Sequence, residues 1–181
     1  MNLKIDYFEG FRSLATNGVD KPVINLFRML GMMSGERVKV MSSGAVPPDV
    51  LVNVGAREAP DIDAFATQDK QEAAVLIWNY HDLNQSAPSS PITVKLTGIP
   101  SSVHRVLLEP SRIDGTHSNA YTVWQKMGSP QSPTSEQYAE LQSAGQLQLL
   151  ASPAWLDVAN DEVRVSTELP RESISLLHFR W

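Results

Sequence analysis

The feature that most constrains the fold is a long segment, residues 112–147, that separates two groups of short strand patterns. It reads RIDGTHSNAYTVWQKMGSPQSPTSEQYAELQSAGQL, with helical composition interrupted by prolines. Segments of this length inside a domain are usually either functional or disordered. The large apolar residues in it argue against disorder: Tyr121, Val123, Trp124, Met127, Tyr138, Leu141 and Leu147. The sequence therefore predicts an ordered helical excursion that packs on another part of the protein.

The patterns on either side of this excursion predict a mostly β fold, an antiparallel β-sandwich. Short runs of apolar and β-branched residues, bounded by turn-forming residues, are typical of sandwiches and barrels. The run AAVLIW at residues 73–78 is apolar without alternation, as expected of a central strand covered on both faces. The predicted strands are 62–67, 73–80, 92–96, 103–108, 155–158, 162–167 and 173–179.

The N-terminal part predicts one helix after a turn at Asn17-Gly18. Asp20 can cap this helix, and its first turn accepts Pro22. The helix carries two apolar stripes, Val23, Leu26, Phe27 and Leu30 on the first and Ile24, Met29, Met32 and Met33 on the second. Because such a helix is poorly buried alone, we expect residues 3–35 to be the least stable part of the chain.

The hydrophobic period changes from helical to alternating at residue 36. The sequence thus predicts two parts, residues 1–35 and a β-sandwich over 36–181 that carries the excursion 112–147 as a helical insertion. The double proline at 47–48 is taken to exclude a helix in the residues that follow it.

Composition excludes several classes of partner. Of the 181 residues 42% are hydrophobic, so the chain can bury a core. The net charge of −5, without a Lys/Arg cluster, argues against nucleic acid and anionic membranes. No apolar run reaches the roughly 20 residues of a membrane helix, and the acidic start does not resemble a signal peptide. We therefore expect a soluble chain without an export signal. The absence of cysteine excludes disulfides but leaves the compartment unassigned.

No strong catalytic, cofactor or metal motif is present, so the sequence predicts neither a cofactor nor a metal. The histidines at 81, 104, 117 and 178 lack the spacing that places two ligands on one helical face. Nucleophile-elbow and phosphate-loop patterns are also missing. His81 and Asp82 follow the central strand; they either make strand-end hydrogen bonds or contact a neighbouring domain.

The candidate contact residues lie in the excursion and are His117, Asn119, Tyr121 and Trp124. They place hydrogen-bonding groups and aromatic faces together on a loop, where binding residues concentrate. Two interpretations stay open, structural docking and contact with a sugar. We expect Tyr121, Trp124 and Met127 to anchor a short helix by burial, at i, i+3 and i+6, while His117 and Asn119 face a neighbouring domain that is missing from this sequence.

The excursion, together with three other stretches, resembles the C-terminal region of glycoside hydrolase family 39, the β-xylosidases. The other stretches are GFRSLATNGVDKPVINLFRMLGMMSGERV, AAVLIWNYHD and LPRESISLLHFRW. The resemblance implies that residues 1–35 are the end of a (β/α)8 barrel, with its last helix, and that the rest is the accessory β-sandwich. It also implies a parent enzyme that removes terminal xylose from xylo-oligosaccharides with retention, using two glutamates about 5–5.5 Å apart.

Neither of the family's catalytic glutamates can be carried over to this sequence. The acid/base lies in an Asn-Glu dipeptide, and no Asn here is followed by Glu. The nucleophile is expected upstream of residue 1, and Glu9 aligns with a loop position. The resemblance thus implies a non-catalytic portion that packs on the catalytic barrel, shapes the rim of the cleft and meets xylo-oligosaccharide through its parent.

Two alternatives stand beside this interpretation. A free-standing carbohydrate-binding module would need an exposed aromatic platform, whereas Trp78, Trp155 and Trp181 are assigned to strands or strand ends. A structural domain that forms homo-oligomers would need no sugar contact at all.

Overall fold

The computed structural model describes residues 6–8, 13–83 and 86–181. The elements in chain order are β1 (Ala15–Thr16), β2 (Val19–Asp20), α1 (Pro22–Gly31), β3 (Glu36–Val38), α2 (Pro48–Asn53), β4 (Asp61–Asp69), β5 (Glu72–Tyr80), β6 (Ser90–Thr97), β7 (Arg105–Ile113), α3 (Ala120–Lys126), α4 (Ser135–Ala144), β8 (Gln148–Leu149), β9 (Ala154–Asp157), β10 (Glu162–Leu169) and β11 (Ser173–Arg180). Each of the seven strands predicted from the sequence is present.

The strands form one large antiparallel sheet and two two-stranded sheets, one of which is the short pair of β1 with β2. The large sheet has the order β3-β4-β5-β11-β7-β8, and β9 also pairs with β7. β6 and β10 pair only with each other, in antiparallel register from Ser90↔Leu169 to Thr97↔Glu162. The predicted antiparallel β-sandwich is therefore confirmed.

The main core lies on the side of the large sheet that faces β6 and β10. Its buried members include Val75, Ile77, Leu177 and Phe179 from the central strands, and Val163 from β10. The alternate residues of β5 and β11 point to the opposite face, where a second cluster forms. The central strand β5 is thus covered on both faces, as its unbroken apolar run predicts.

Helix α1 covers that second face. Met29 is fully buried against Ala74, Leu76 and Leu176 of the central strands. Asn25, one turn earlier, is also buried, and its Nδ2 donates to the carbonyl oxygens of Ser118 (3.1 Å) and Gly145 (2.8 Å). The helix is therefore fastened to both the sheet and the excursion.

The first of the two apolar stripes of α1 is mostly exposed. Val23, Phe27 and Leu30 are 41%, 55% and 39% exposed. The helix packs its Met29 side against the sheet. Asn25 lies on the same side, one turn away, and its buried side chain needs the carbonyl partners that the excursion provides. Asp20 does not cap the helix either; Lys21 is the N-cap, and Asp20 pairs with Arg28 at 2.6 Å.

The expectation that the double proline excludes a helix is wrong. Pro48 opens α2, and Pro47 is its N-cap. Proline is tolerated in the first turn of a helix because the N–H that it lacks would have no partner there. The proline pair therefore starts a helix at this position.

The excursion is ordered, as predicted, and consists of two short helices. Strand β7 runs to Ile113 and so includes the first two residues of the predicted segment. α3 begins at Asn119, whose side chain accepts from the Thr122 N–H, and a capping box of Thr134 with Gln137 begins α4. β8 then returns the chain to β7.

A third apolar cluster joins the excursion to the N-terminal segment. Trp124, Leu141 and Ala120 of the excursion are buried together with Val19 of β2. Tyr7 and Phe8 pack against this cluster, with the Phe8 and Trp124 ring centroids 5.2 Å apart. The partner on which the excursion packs is therefore the start of this same chain.

The contacts of α1 oppose the expectation that residues 3–35 open first; residues 3–5 and 9–12 of that segment lie outside the described residues. We expect Met29→Ala to lower the free energy of unfolding by about 2–5 kcal/mol, because it leaves a cavity under the helix. The matched control Phe27→Ala should cost less than about 0.5 kcal/mol. Urea denaturation measures both, and equal effects would mean that α1 does not dock on the sheet.

Candidate functional site

A groove of about 830 Å³ opens at one end of the large sheet. β5 and β7 both pair antiparallel with β11, so the last residues of both strands lie beside the first residues of β11. Three segments supply most of the lining: residues 80–82 at the end of β5, five residues between 114 and 122 after β7, and residues 170–172 before β11. Ser86 and Ala87 also line the groove. Residues distant in sequence thus meet because two strands share a neighbour.

Asp114 organises the wall that follows β7. It is 6% exposed, and its Oδ1 accepts from the backbone N–H groups of Thr116 (2.7 Å) and His117 (2.8 Å). The Thr116 hydroxyl and the His117 Nδ1 lie 2.9 and 3.0 Å from the same oxygen. Burial acts to raise the pKa of Asp114, but these hydrogen bonds outweigh it and hold the pKa below its ordinary value.

Arg112 supports this wall from inside the sheet. Its side chain is buried; Nε donates to Ser175 Oγ at 2.6 Å, and Nη2 donates to the carbonyl oxygen of Glu168 at 3.0 Å. Nη1 lies 3.7 Å from Asp114 Oδ2. Burial lowers the pKa of Arg112, and the Asp114 carboxylate opposes that effect. The Arg112 side chain thus connects β7, β10 and β11 beneath the groove.

The wall after β5 is held by strand-end hydrogen bonds. The His81 N–H donates to Glu172 Oε1 at 3.1 Å, and His81 Nδ1 accepts from the Leu83 N–H at 3.0 Å. The Tyr80 hydroxyl donates to Asp82 Oδ1 at 2.8 Å, which raises the pKa of Tyr80. His81 and Asp82 therefore make local hydrogen bonds and also line the groove.

Two of the four candidates from the excursion line the groove. Asn119 and Tyr121 do so, while His117 lies behind them, bonded to Asp114. Trp124 is only 6% exposed, and its Nε1 donates to the carbonyl oxygen of Pro130 at 2.9 Å. The expectation that Tyr121 is buried is wrong: it is 42% exposed, because α3 turns its Trp124 side toward Phe8.

Sequence reasoning missed Asp114, Arg171 and Glu172 as part of this site. The signal for Asp114 was present, since an Asp followed by Gly, Thr and His is typical of a turn in which the carboxylate accepts from later N–H groups. Nothing in the local pattern of the β10–β11 turn indicated that it meets the excursion.

The described residues support neither a metal site nor a membrane-spanning helix. Within residues 6–8, 13–83 and 86–181, no three His, Cys, Asp or Glu side chains come together in a way that would hold a metal ion. In the same ranges, no helix has the length and apolarity needed to cross a membrane. Glu9, the acid near the N-terminal loop, lies outside the described residues.

The sequence is similar to parts of two longer glycosidases. A Beta-xylosidase from Caldicellulosiruptor saccharolyticus is 29% identical over 159 residues, which is 88% of this chain and 29% of that protein. An Alpha-L-iduronidase from Canis lupus familiaris is 26% identical over 160 residues, 87% of this chain and 24% of that protein.

A solved structure shares the fold. The crystal structure of a monomeric beta-xylosidase from Caulobacter crescentus CB15 superimposes with a TM-score of 0.77 at 18% identity, covering 97% of this chain and 34% of that one. The chain thus spans about a third or less of the length of these relatives. The family model for glycosyl hydrolases family 39 matches residues 2–156, and the chain belongs to that family.

Proposed function

We propose that this chain is the non-catalytic C-terminal portion of a retaining family 39 glycosidase that removes terminal xylose from xylo-oligosaccharides. Residues 1–35 would complete a (β/α)8 barrel, and residues 36–181 would form an accessory sandwich that packs on it. The groove would form part of the rim of the substrate cleft.

The observation that carries this proposal is the exposed first apolar stripe of α1. One side of the helix is buried against the sheet through Met29, while Val23, Phe27 and Leu30 remain exposed on another side. The stripe extends over eight residues, from 23 to 30, or about 10 Å of helix. Contiguous exposed apolar surface marks an interface, and the catalytic barrel is the proposed partner that covers it.

The position of the groove supports a role at the cleft rim. Phe8, which precedes α1 in the chain, packs against both Tyr121 (5.7 Å between ring centroids) and Trp124 (5.2 Å). The N-terminal part is thus packed on the helix that supplies one wall of the groove. A barrel joined through that part would hold the groove at a fixed position relative to its own cleft.

The acids of the groove do not fit a catalytic pair. A retaining glycosidase needs one acid with a raised pKa, whereas Asp114 has a lowered one. Asp82 accepts from the Tyr80 hydroxyl, and Glu172 accepts from the His81 N–H. Both act as hydrogen-bond acceptors that hold the ends of strands, so the acids of the groove do not supply the catalytic pair.

A chimera tests the proposal. This chain would replace the aligned portion of the Caldicellulosiruptor saccharolyticus Beta-xylosidase, and hydrolysis of an aryl xyloside would be measured for the chimera and for this chain alone. We expect activity from the chimera and only blank-level hydrolysis from the chain. Clear hydrolysis by the chain alone would overturn the non-catalytic role.

The docking surface has its own test in Phe27→Asp. Within the chimera this substitution should cost about 2–4 kcal/mol of stability, because it buries a charge in an apolar interface. The isolated chain should change by less than about 0.5 kcal/mol, since Phe27 is exposed there. Val52→Asp, at a residue 85% exposed, is the matched control. Equal effects of Phe27→Asp in both proteins would rule out the proposed interface.

A free-standing carbohydrate-binding module stays the second candidate because one tryptophan is exposed. Trp155 was assigned to a strand and not counted as a platform, yet it is 55% exposed, since β9 lies at the edge of the sheet. The Arg105 guanidinium lies 5.6 Å from the centre of its ring and occupies one face. If Trp155→Ala abolished binding of xylo-oligosaccharide to the chain, this candidate would replace the first.

A further inference from the structure

Two exposed tyrosines from different elements line the same groove. Tyr80, at the end of β5, is 47% exposed, and Tyr121, on α3, is 42% exposed. The Tyr80 hydroxyl donates to Asp82, and the Tyr121 hydroxyl accepts from Gln125 Nε2 at 3.1 Å. Each ring is therefore held in place by its polar end while much of its surface stays open to the groove. Aromatic faces presented in this way suit the apolar faces of a pyranose ring.

The polar groups beside these tyrosines are mainly acceptors. Asp82 and Glu172 line the groove, and the hydrogen bonds to Tyr80 and to the His81 N–H engage one oxygen of each. A carboxylate has about four lone-pair positions, so both acids retain capacity for further donors. Sugar hydroxyl groups are donors of the required kind.

More carboxylates than guanidinium groups belong to the residues that line the groove. Among the described lining residues, three are carboxylates, Asp82, Asp114 and Glu172, and one is a guanidinium, Arg171. The cations that partner two of these acids do not line the groove: Arg57 lies 3.6 Å from Asp82, and Arg112 lies 3.7 Å from Asp114. An anionic sugar would thus meet more carboxylates than cations.

From these observations we infer that the groove itself binds a neutral saccharide, with Tyr80 and Tyr121 as stacking surfaces, and discriminates against sugars that carry a carboxylate. The inference rests on the proposed function and adds a direct ligand site to it. The accessory sandwich then takes part in substrate recognition in addition to packing on the barrel.

Titration of the isolated 181-residue chain with xylotriose tests the site, with chemical-shift changes in its NMR spectrum as the readout. We expect saturable binding in the millimolar range, typical of a shallow groove, with changes centred on residues 80–82 and 119–122. Tyr80→Ala and Tyr121→Ala should each weaken binding about threefold to tenfold. Phe27→Ala is the matched control and should leave binding unchanged, because it removes an exposed aromatic ring outside the groove. Melting curves identify any variant that fails to fold. Tyr80→Phe and Tyr121→Phe keep the rings but lose the hydroxyl hydrogen bonds, so they should bind more tightly than the alanine variants.

A second arm uses a xylo-oligosaccharide of the same length that carries a glucuronic acid branch. We expect it to bind at least about fivefold more weakly than the neutral sugar at low salt, with the difference reduced by added salt. Equal or tighter binding of the acidic sugar would overturn the inferred discrimination. Absence of binding, or binding insensitive to both tyrosine substitutions, would overturn the site.

These outcomes are separate from those for the proposed function. An active chimera whose isolated accessory chain shows no saccharide binding would leave the accessory role standing and remove the ligand site. Tyrosine-dependent binding, combined with an insensitivity of the chimera to Phe27→Asp, would keep the ligand site and remove the proposed packing of α1 on the barrel.

Discussion

Replacing Trp124 with alanine is expected to lower the free energy of unfolding by about 3–5 kcal/mol. The side chain is 6% exposed and packs against the rings of Phe8 and Tyr121, at centroid distances of 5.2 and 5.7 Å. Its Nε1 donates to the carbonyl oxygen of Pro130 at 2.9 Å, so the substitution also removes a partner from a partly buried carbonyl. The resulting cavity lies where the excursion meets the N-terminal segment.

Two further variants separate burial from the other contributions of this residue. Trp124→Phe keeps most of the apolar area and loses the indole N–H, so it should cost about 1–2 kcal/mol. Tyr121→Ala removes a neighbouring ring that is 42% exposed and should cost less than about 1 kcal/mol. Urea denaturation followed by circular dichroism measures all three. A loss below about 0.5 kcal/mol for Trp124→Ala would favour sugar contact over anchoring for this residue.

The parts of the fold that the sequence predicted well are those set by period-2 patterns and turn residues. AAVLIW predicted a strand covered on both faces, and Asn160 and Asp161 adopt the positive φ values, 54° and 57°, that a tight hairpin turn requires. Such signals are local, because each depends on a few residues and their immediate neighbours.

The local pattern did not determine which of several possible apolar surfaces is buried. α1 has two apolar stripes, and its sequence alone does not indicate that the sheet selects the Met29 side through the hydrogen bonds of Asn25. Trp155 is a large aromatic residue in a strand, as many core residues are, but it is exposed because its strand lies at the edge of the sheet. In both cases the outcome depends on pairing between distant parts of the chain.

The candidate site also combines residues that local patterns indicated with an arrangement that they did not. The sequence drew attention to His81 and Asp82, and separately to residues 117–124, but gave no reason to place them together. They meet because β5 and β7 both pair with β11. Strand order is a property of the whole sheet, so a groove formed at the ends of non-consecutive strands is not visible in local patterns.

Replacing Arg112 with methionine is expected to lower the free energy of unfolding by about 3–5 kcal/mol. The guanidinium is 2% exposed and donates to Ser175 Oγ and to the Glu168 carbonyl oxygen, so its removal leaves both without this donor. It also leaves the Asp114 carboxylate buried without its cation at 3.7 Å. Methionine has similar length and fills much of the space, which limits the cavity contribution.

Arg112→Lys tests whether a positive charge at this position is enough to maintain the stability of the fold. A lysine ammonium cannot reproduce the planar fork that reaches Ser175 and Glu168 together, so this variant should also be destabilised, by about 1–3 kcal/mol. The double variant Arg112→Met with Asp114→Asn removes both charges and should be less destabilised than the sum of its single variants. Strict additivity in that cycle would show that the two side chains do not interact.

The pH dependence of unfolding separates the contribution of Asp114 from that of Arg112. The pKa of Asp114 in the folded chain lies below its ordinary value of 3.8, so its contribution to stability is complete above that value and is lost as the pH falls through the folded-state pKa. The largest causes that lower the pKa are hydrogen bonds from Thr116 and His117, so Arg112→Met should retain most of this acid dependence. Asp114→Asn should remove it, and the stability difference between the wild type and this variant should shrink below about pH 4. A difference that stays constant from pH 6 to pH 2 would show that Asp114 has the same pKa in the folded and unfolded chains.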